Sequence, residues 1–423
     1  MAALSSLNRS QVGMLICLSS SSLLAGTCML IYAPFFTHEA DARGLSSTAS
    51  GAVFSSFALS QVLAFPVMGW LAPRIGVTRL YMIGLVLVGV TTVVFGILGY
   101  ISQPVPFLAW SLVVRVAEAV GTSAAQTSAR TIIINQFPER VNLAISLEEG
   151  MVGAGLCLGP ALGGALYAVG GYGLPFYVLG ALFLVTAATS LALMPTVKER
   201  PIEKSEKGAG GRSYREMLLM FLSFADIWLI IATIVMLSLN WTALDPTMEP
   251  YVHITLGIQP AELSLFFLAS FAGYTLSSPL WGRLSDKVDN TFLLLAGCLA
   301  PSALGVLLIP PSPILGLQPS RLLLGVGMTL REVFQIGAYL PLVPLMLRIS
   351  TNRGLESNLR SQAMVSSVLG TTFSFGNVLG PFGGGLVIDT WGYPIFATWL
   401  GVITVILSVI MTVRGIVYHV TRR

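Results

Sequence analysis

Twelve long, mostly apolar runs pass through this chain, over 11–36, 47–72, 79–101, 105–134, 141–168, 173–195, 225–251, 260–283, 291–311, 320–348, 359–389 and 392–418. Each is long enough to cross the hydrocarbon core of a bilayer, which takes about 20 residues as a helix. Charged residues make up only 10 % of the chain, against roughly 25 % in soluble proteins. That is too little polar surface to cover a globule in water. The runs therefore predict an all-α polytopic membrane protein with twelve transmembrane helices. The first is too long for a signal-peptide core and no small-residue cleavage site follows it, so it is expected to be retained. Gly and Pro recur inside the runs, as they do in membrane helices.

The basic residues orient these helices. With both termini on the cytoplasmic side, that side receives Arg9, Arg74, Arg79, Arg140, the cluster from Lys198 to Arg215, Arg283, Lys287, Arg348, Arg353, Arg360, Arg414, Arg422 and Arg423, or eighteen of the twenty-three Lys and Arg. The other side receives Arg43 and Arg321. This is a positive-inside pattern. Mixed charge followed by Gly208-Ala209-Gly210-Gly211 marks 197–224 as a solvated, flexible cytoplasmic linker. It separates an N-terminal bundle of six helices over 1–196 from a C-terminal bundle of six over 225–423.

Several function classes are excluded. Basic residues do not cluster with aromatics on a folded soluble face, which argues against nucleic acid as a partner. Cys17, Cys28, Cys157 and Cys298 all lie in apolar runs and read as small buried hydrophobes. His38, His253 and His419 are scattered and cannot build a zinc site. No cofactor is expected. The chain has no His cluster, Gly-x-Ser-x-Gly or phosphate loop, so an integral membrane enzyme has no support.

The two halves repeat. Gly155-Leu156-Cys157-Leu158-Gly159-Pro160-Ala161-Leu162-Gly163-Gly164 in the fifth run reads like Gly376-Asn377-Val378-Leu379-Gly380-Pro381-Phe382-Gly383-Gly384-Gly385 in the eleventh. Gly171-Tyr172 matches Gly392-Tyr393 at the same offset, and Pro66-Val67-Met68-Gly69 parallels Pro279-Leu280-Trp281-Gly282. Repeats in the same orientation, six spans apart, are what a transporter of two pseudo-symmetric bundles displays. Small residues at four-residue spacing let helices approach closely, while Pro160 and Pro381 allow bending. Gly155, Gly159, Pro160, Gly376, Gly380 and Pro381 are thus candidates for a hinge and ion seal, with tight static packing as the open alternative.

At this point the chain resembles the major facilitator superfamily along its whole length, and the repeated glycine element looks like that superfamily's proton-antiporter signature. Within it the chain resembles the vesicular amine transporters, most closely their polyamine branch. The resemblance is carried by Ala33-Pro34-Phe35-Phe36, Arg115-Val116-Ala117-Glu118-Ala119-Val120, Ser146-Leu147-Glu148, Leu244-Asp245-Pro246-Thr247, Ser277-Ser278-Pro279-Leu280 and Leu284-Ser285-Asp286-Lys287. The superfamily's loop signature departs in the first half, where Pro73 replaces the acidic residue in Gly69-Trp70-Leu71-Ala72-Pro73-Arg74-Ile75-Gly76. The second half keeps Asp286 and Lys287 after Gly282, which makes Asp286 a gating candidate. The first span lacks the acid that monoamine carriers use to hold the substrate ammonium.

Ionisable side chains inside a span are costly and mark pathways. Arg115 and Glu118 are three apart and share a face of the fourth helix, with Thr122 and Gln126 continuing the stripe. A purely structural ion pair is the alternative. Asp245 and Glu249 are four apart in the seventh span, beside Pro246 and Pro250, which puts both carboxylates on one face; solvation at a helix end is the alternative. Arg331 and Glu332 are neighbours about 100° apart, whereas Glu332, Gln335 and Tyr339 share a stripe. Glu148 and Glu149 open the fifth helix, where the helix dipole favours anions. The implied activity is a proton-coupled antiporter that carries organic cations, above all spermine or spermidine, from cytoplasm into vesicles by alternating access as a monomer. A multidrug–proton antiporter and a vesicular monoamine carrier are the alternatives. The implied location is a secretory or synaptic-type vesicle or another acidic organelle, with the plasma membrane also open.

Overall fold

The structure, a computed structural model, describes residues 8–32, 35–194, 213–245, 247–356 and 358–421. It is helical, with no strand among the described residues. In chain order the first half contains α1 (Arg9–Leu30), α2 (Phe36–Ala42), α3 (Ser47–Ile75), α4 (Val77–Ile97), α5 (Pro104–Gln136), α6 (Val141–Gly170) and α7 (Gly173–Leu193). The second contains α8 (Tyr214–Leu222), α9 (Ala225–Thr242), α10 (Met248–Leu256), α11 (Pro260–Lys287), α12 (Thr291–Leu308), α13 (Arg321–Tyr339), α14 (Leu342–Asn352), α15 (Leu359–Trp391) and α16 (Tyr393–Thr421). With α13 and α14 taken as one, eleven stretches of the described residues are long and apolar enough to cross a membrane. Helix α15, with 33 residues, stands at the remaining expected span. The twelve spanning segments follow one another as two sets of six.

Three expected runs are not single helices. The first ends as α1 at Leu30 and resumes as α2. The seventh is broken between Thr242 and Met248, and the tenth between Tyr339 and Leu342. Each break holds a proline in sequence, Pro34, Pro246 or Pro341. A proline lacks the N–H that the helical ladder uses. Pro66, Pro73, Pro160, Pro279, Pro301 and Pro381 instead stay inside their helices.

The linker expectation is corrected at its end. Residues 195–212, the greater part of 197–224, lie outside the described residues. Residues 214–222 form helix α8 rather than a loop. Ser213 and Glu216 close a capping box at its start, and Met217 and Phe221 are buried on one side.

By packing, the chain forms two compact units. The first comprises residues up to Pro138 together with Ala154–Ala225 and Ile349–Thr371; the second comprises Glu139–Gly153, Asp226–Arg348 and Thr372–Arg423. Helices α6, α14 and α15 are therefore each divided between them.

In the first unit α4 meets α5 with almost no side chain between. A Cβ added at Gly84 would lie 2.6 Å from the Ala125 amide nitrogen and 2.7 Å from the Gly121 carbonyl. One end of this unit is filled by Phe35, Phe36, Phe95, Phe107, Tyr172 and Phe176, whose ring centroids lie 5.0–6.3 Å apart. Arg43 closes it. Its guanidinium stands over Phe107, donates to the carbonyls of Gly99 and Ile101, and pairs with Glu39 at 2.5 Å.

The second unit uses the same device at another place. A Cβ at Gly305 of α12 would lie 2.6 Å from the Arg331 amide nitrogen and 2.7 Å from the Gly327 carbonyl. That approach locks the turn of α13 that carries Arg331. Elsewhere in this unit Arg414 donates two hydrogen bonds to Asp226, at 2.6 and 2.7 Å.

Candidate functional site

A charge cluster is buried in each unit. Arg115 is the twelfth residue of α5, roughly 16 Å along it at 1.5 Å per residue, which is near mid-depth for a core of about 30 Å. Arg115 Nη1 donates to Glu118 Oε2 at 2.7 Å, as the spacing of three predicts, and both residues are buried. Arg115 Nη2 donates to the Tyr32 hydroxyl. The other carboxylate oxygen, Glu118 Oε1, accepts from the Cys28 thiol at 2.9 Å. The guanidinium also lies over the rings of Tyr32 and Phe57, 4.5 and 4.6 Å from their centroids. Thr122 returns its hydroxyl to the Glu118 carbonyl at 2.8 Å. A buried pair of this kind is tolerated because each charge meets its opposite and further donors occupy the remaining lone pairs. With both groups ionised the cluster is neutral.

The second cluster centres on Arg331, the eleventh residue of α13 and roughly 15 Å along it. Its Nη1 donates to Asp245 Oδ1 at 2.7 Å and to the Asn240 carbonyl at 3.1 Å, while Nη2 donates to Glu332 Oε1 at 2.6 Å. Trp241 Nε1 donates to both oxygens of Glu332, at 2.8 and 2.9 Å. Gln335 Nε2 donates to the Leu237 carbonyl at 2.9 Å. Glu332, Gln335 and Tyr339 are all buried, as their common stripe requires, and Tyr339 packs its ring 5.7 Å from that of Phe373. Two carboxylates face one guanidinium here. Fully ionised, this cluster carries one net negative charge inside the membrane.

Three site expectations need correction. Asp245 and Glu249 do not share a helix face, because the helix is interrupted between Thr242 and Met248. Asp245 lies in the interruption, where it reaches Arg331, and Glu249 sits in the first turn of α10. Arg331 and Glu332, although 100° apart on the helix, do pair, since a guanidinium on a long side chain can fold back onto its neighbour. Finally, Glu148 and Glu149 do not open the fifth helix. Helix α6 begins at Val141, so both lie two turns inside it, and both are buried. The helix dipole falls off within the first turn and gives no account of them.

Asp286 takes the place at that helix start. Its Oδ1 accepts from the backbone and side-chain nitrogens of Asn142, at 3.1 and 2.8 Å, and Oδ2 accepts from the Leu143 amide at 3.1 Å. A carboxylate from α11 thereby caps the first turn of α6, satisfying amides that a helix cannot pair internally. In the first half, where Pro73 stands in the acidic place, α15 caps itself. Asn358 Oδ1 accepts from the Ser361 amide at 3.0 Å, and Ser361 Oγ accepts from the Asn358 amide at 3.1 Å.

The glycine ladders do bring backbones together. A Cβ at Gly155 would lie 2.7 Å from the Thr27 amide nitrogen, and one at Gly159 would lie 3.0 Å from the Thr27 carbonyl oxygen, both on α1. On α15, a Cβ at Gly376 would lie 2.6 Å from Ser238 Cβ, and one at Gly380 would lie 3.0 Å from the Ala243 amide nitrogen at the end of α9. Pro160 and Pro381 lie within unbroken α6 and α15.

Tyr32 and Trp241 are not marked out by the sequence, and Cys28 reads there as no more than a small buried hydrophobe. Each sits in an apolar run and carries no charge. Position held one clue for Trp241, which is four residues before Asp245 in the seventh span.

Comparison with known proteins gives the family. The model of the Major Facilitator Superfamily matches residues 18–331 and 230–422. The rat MFS-type transporter SLC18B1 is 30 % identical over 416 residues, covering 96 % of this chain and 87 % of that protein. The human SLC18B1 is 31 % identical over 389 residues, covering 92 % and 82 %. The mouse synaptic vesicular amine transporter is 25 % identical over 365 residues, covering 85 % of this chain and 64 % of that protein. In fold, the human organic anion transporter MFSD10 (TETRAN) superposes with a TM-score of 0.70 over 95 % of this chain and 97 % of that one, at 14 % identity. Two sets of six membrane helices, charged residues buried at mid-span and relatives that are transporters rather than enzymes lead to one conclusion: the chain belongs to the Major Facilitator Superfamily, as a multi-pass membrane transporter similar to SLC18B1.

Proposed function

We propose that this transporter is a proton-coupled antiporter for small organic cations, polyamines above all, carrying them from cytoplasm into acidic vesicles by alternating access of its two halves. The observation that carries the reading is the charge count of the Arg331 cluster. One guanidinium against Asp245 and Glu332 leaves a negative charge in the low-dielectric interior, and such a charge takes up either a proton or a cation. Competition between the two for the same carboxylates is the coupling. Glu118, held by Arg115 and Cys28, is the buried carboxylate of the first unit. Glu148 and Glu249 are further acidic positions, and the ladders at Gly155, Gly159, Gly376 and Gly380, with Pro160, Pro381 and the Asp286 cap, serve the conformational change. Similarity to the synaptic vesicular amine transporter supports amines as the cargo and a vesicle membrane as the place.

The deciding experiment is reconstitution of the purified protein into vesicles with an inside-acid gradient, offered labelled spermine, spermidine, serotonin and a lipophilic dye cation. Gradient-dependent accumulation of spermine or spermidine is expected. Accumulation of the dye alone would favour multidrug–proton exchange, and serotonin alone a monoamine carrier. The basic-residue asymmetry supports cytoplasmic termini, so an epitope inserted within 203–212 should become accessible only after cells are permeabilised. Labelling of intact cells would invert that topology.

A further inference from the structure

The cation of the first unit already sits on aromatic rings, since Arg115 lies over Tyr32 and Phe57. The second unit offers, in Trp241, a ring with no such occupant. Trp241 of α9 is half-buried, with Tyr274 of α11 at 5.7 Å and Phe373 of α15 at 5.6 Å between ring centroids. Among the described residues no Lys or Arg lies over its ring. Its N–H edge is committed, donating to both oxygens of Glu332.

Glu332 is itself fully buried, and its oxygens are held by Trp241 and Arg331. Its charge can nevertheless act at a distance. A hydrogen bond to a carboxylate polarises the donor, and here it moves electron density from the N–H edge onto the indole face. That face attracts cations through its quadrupole, more strongly than any other aromatic side chain.

We infer that Trp241 is a cation-binding platform, polarised by Glu332, on whose indole face an alkylammonium group of the substrate rests. The identity of that ammonium as transported cargo rests on the function proposed above; the platform does not. Trp241 then adds to the affinity for the cation, and Glu332 strengthens that ring beyond the charge it contributes to the cluster. The division of labour explains why a buried, doubly engaged carboxylate is kept beside a half-buried ring. A compact alkylammonium, such as the end group of a polyamine, meets this surface in the way the Arg115 guanidinium meets Tyr32.

The test replaces Trp241 by mono-, di- and trifluorinated tryptophan, which keeps shape and the N–H donor while draining the ring face. Equilibrium binding of labelled spermine to the purified protein is measured alongside uptake into vesicles. We expect Kd to rise with each fluorine, reaching roughly three- to thirtyfold in total, the range spanned by cation–π contacts. KM should follow while the maximal rate holds. Trp241→Phe, which loses the N–H donor as well, should weaken binding further than the smaller ring alone explains. A Kd that stays flat across the fluorinated series overturns the platform. Kd that rises with fluorination in a protein showing no gradient-driven uptake supports the platform and refutes the transport reading. A wild-type protein that binds neither spermine nor spermidine overturns both.

Discussion

Replacing Asp245 by Asn takes one negative charge from the Arg331 cluster while keeping its shape. Arg331 gives one hydrogen bond to Asp245 at 2.7 Å and one to Glu332 at 2.6 Å. The substitution therefore leaves one positive and one negative charge, and the excess disappears. Asn still accepts from Arg331, so the break between α9 and α10 keeps its contact, though a neutral acceptor binds less strongly than a charged one. Two unit charges 4 Å apart interact by about 4 kcal/mol at an effective dielectric constant of 20. The Asp245 side chain is 17 % exposed, which screens part of this. A loss of about 2–4 kcal/mol of attraction for a substrate ammonium follows, or roughly thirty- to several-hundredfold in KM. Initial rates of spermine uptake over a range of concentrations, in vesicles with an inside-acid gradient, read this directly. Abundance and monodispersity of the purified variant show that the fold is intact. Glu332→Gln removes the same charge from the other arm and should weaken uptake comparably. An unchanged KM with a full response to the gradient in both variants would refute the charge argument, and a loss confined to Asp245→Asn would make the effect local to that side chain.

Glu118→Gln leaves Arg115 without its counter-charge, so gradient-driven accumulation should collapse at near-normal protein abundance; uptake that still answers fully to the gradient would reduce Glu118 to a structural partner. Gly159→Leu and Gly380→Leu insert bulk where even a Cβ would stand 3.0 Å from the backbone of α1 or of the residue after α9, so turnover should fall at least tenfold with insertion retained, and a normal rate in either variant would show that these crossings do not slide. Glu39, outside the spans, tests pH dependence. Its burial favours the neutral acid, but hydrogen bonds from Tyr167 and Arg43 outweigh this and hold its carboxyl below the ordinary range. A depressed folded-state value stabilises above the unfolded value of about 4.3 and is lost only as pH falls through the lower one. The difference in melting temperature between wild type and Glu39→Gln should accordingly be constant from pH 7.5 to about 5.5 and close only in stronger acid; a difference that closes near pH 6 would contradict it.

What sequence could reveal here depended on whether a contact leaves a local trace. Apolar length alone marks the membrane helices, and a spacing of three marks Arg115 with Glu118. Proline was ambiguous. Pro160 and Pro381 are accommodated within long helices, whereas the runs containing Pro246 and Pro341 break, and local sequence does not distinguish the two outcomes because neighbouring helices decide which freed backbone groups are satisfied. The break at Asp245 then defeated the argument from a spacing of four to Glu249. Trp241 and Cys28 were illegible because an aromatic ring or a thiol in an apolar run is ordinary core until a carboxylate from another helix is known to face it. Asp286 presented the opposite problem. A family motif pointed to it, yet its actual role required the start of α6, 144 residues earlier in the chain.

That cap has a consequence for how the protein is made. Asn142 and Leu143 are synthesised long before Asp286 leaves the ribosome, and no residue beside them in sequence takes its place in the described hydrogen bonds. The first turn of α6 must therefore wait, its amides unsatisfied by protein, through the synthesis and insertion of several later spans. Helix α15 has no such wait, because Asn358 and Ser361 emerge together. The second compact unit, which takes in Glu139–Gly153, is not finished by the second half of the chain alone. Translation order thus makes the beginning of α6 native only after α11 has been synthesised, although α6 is encoded in the first half.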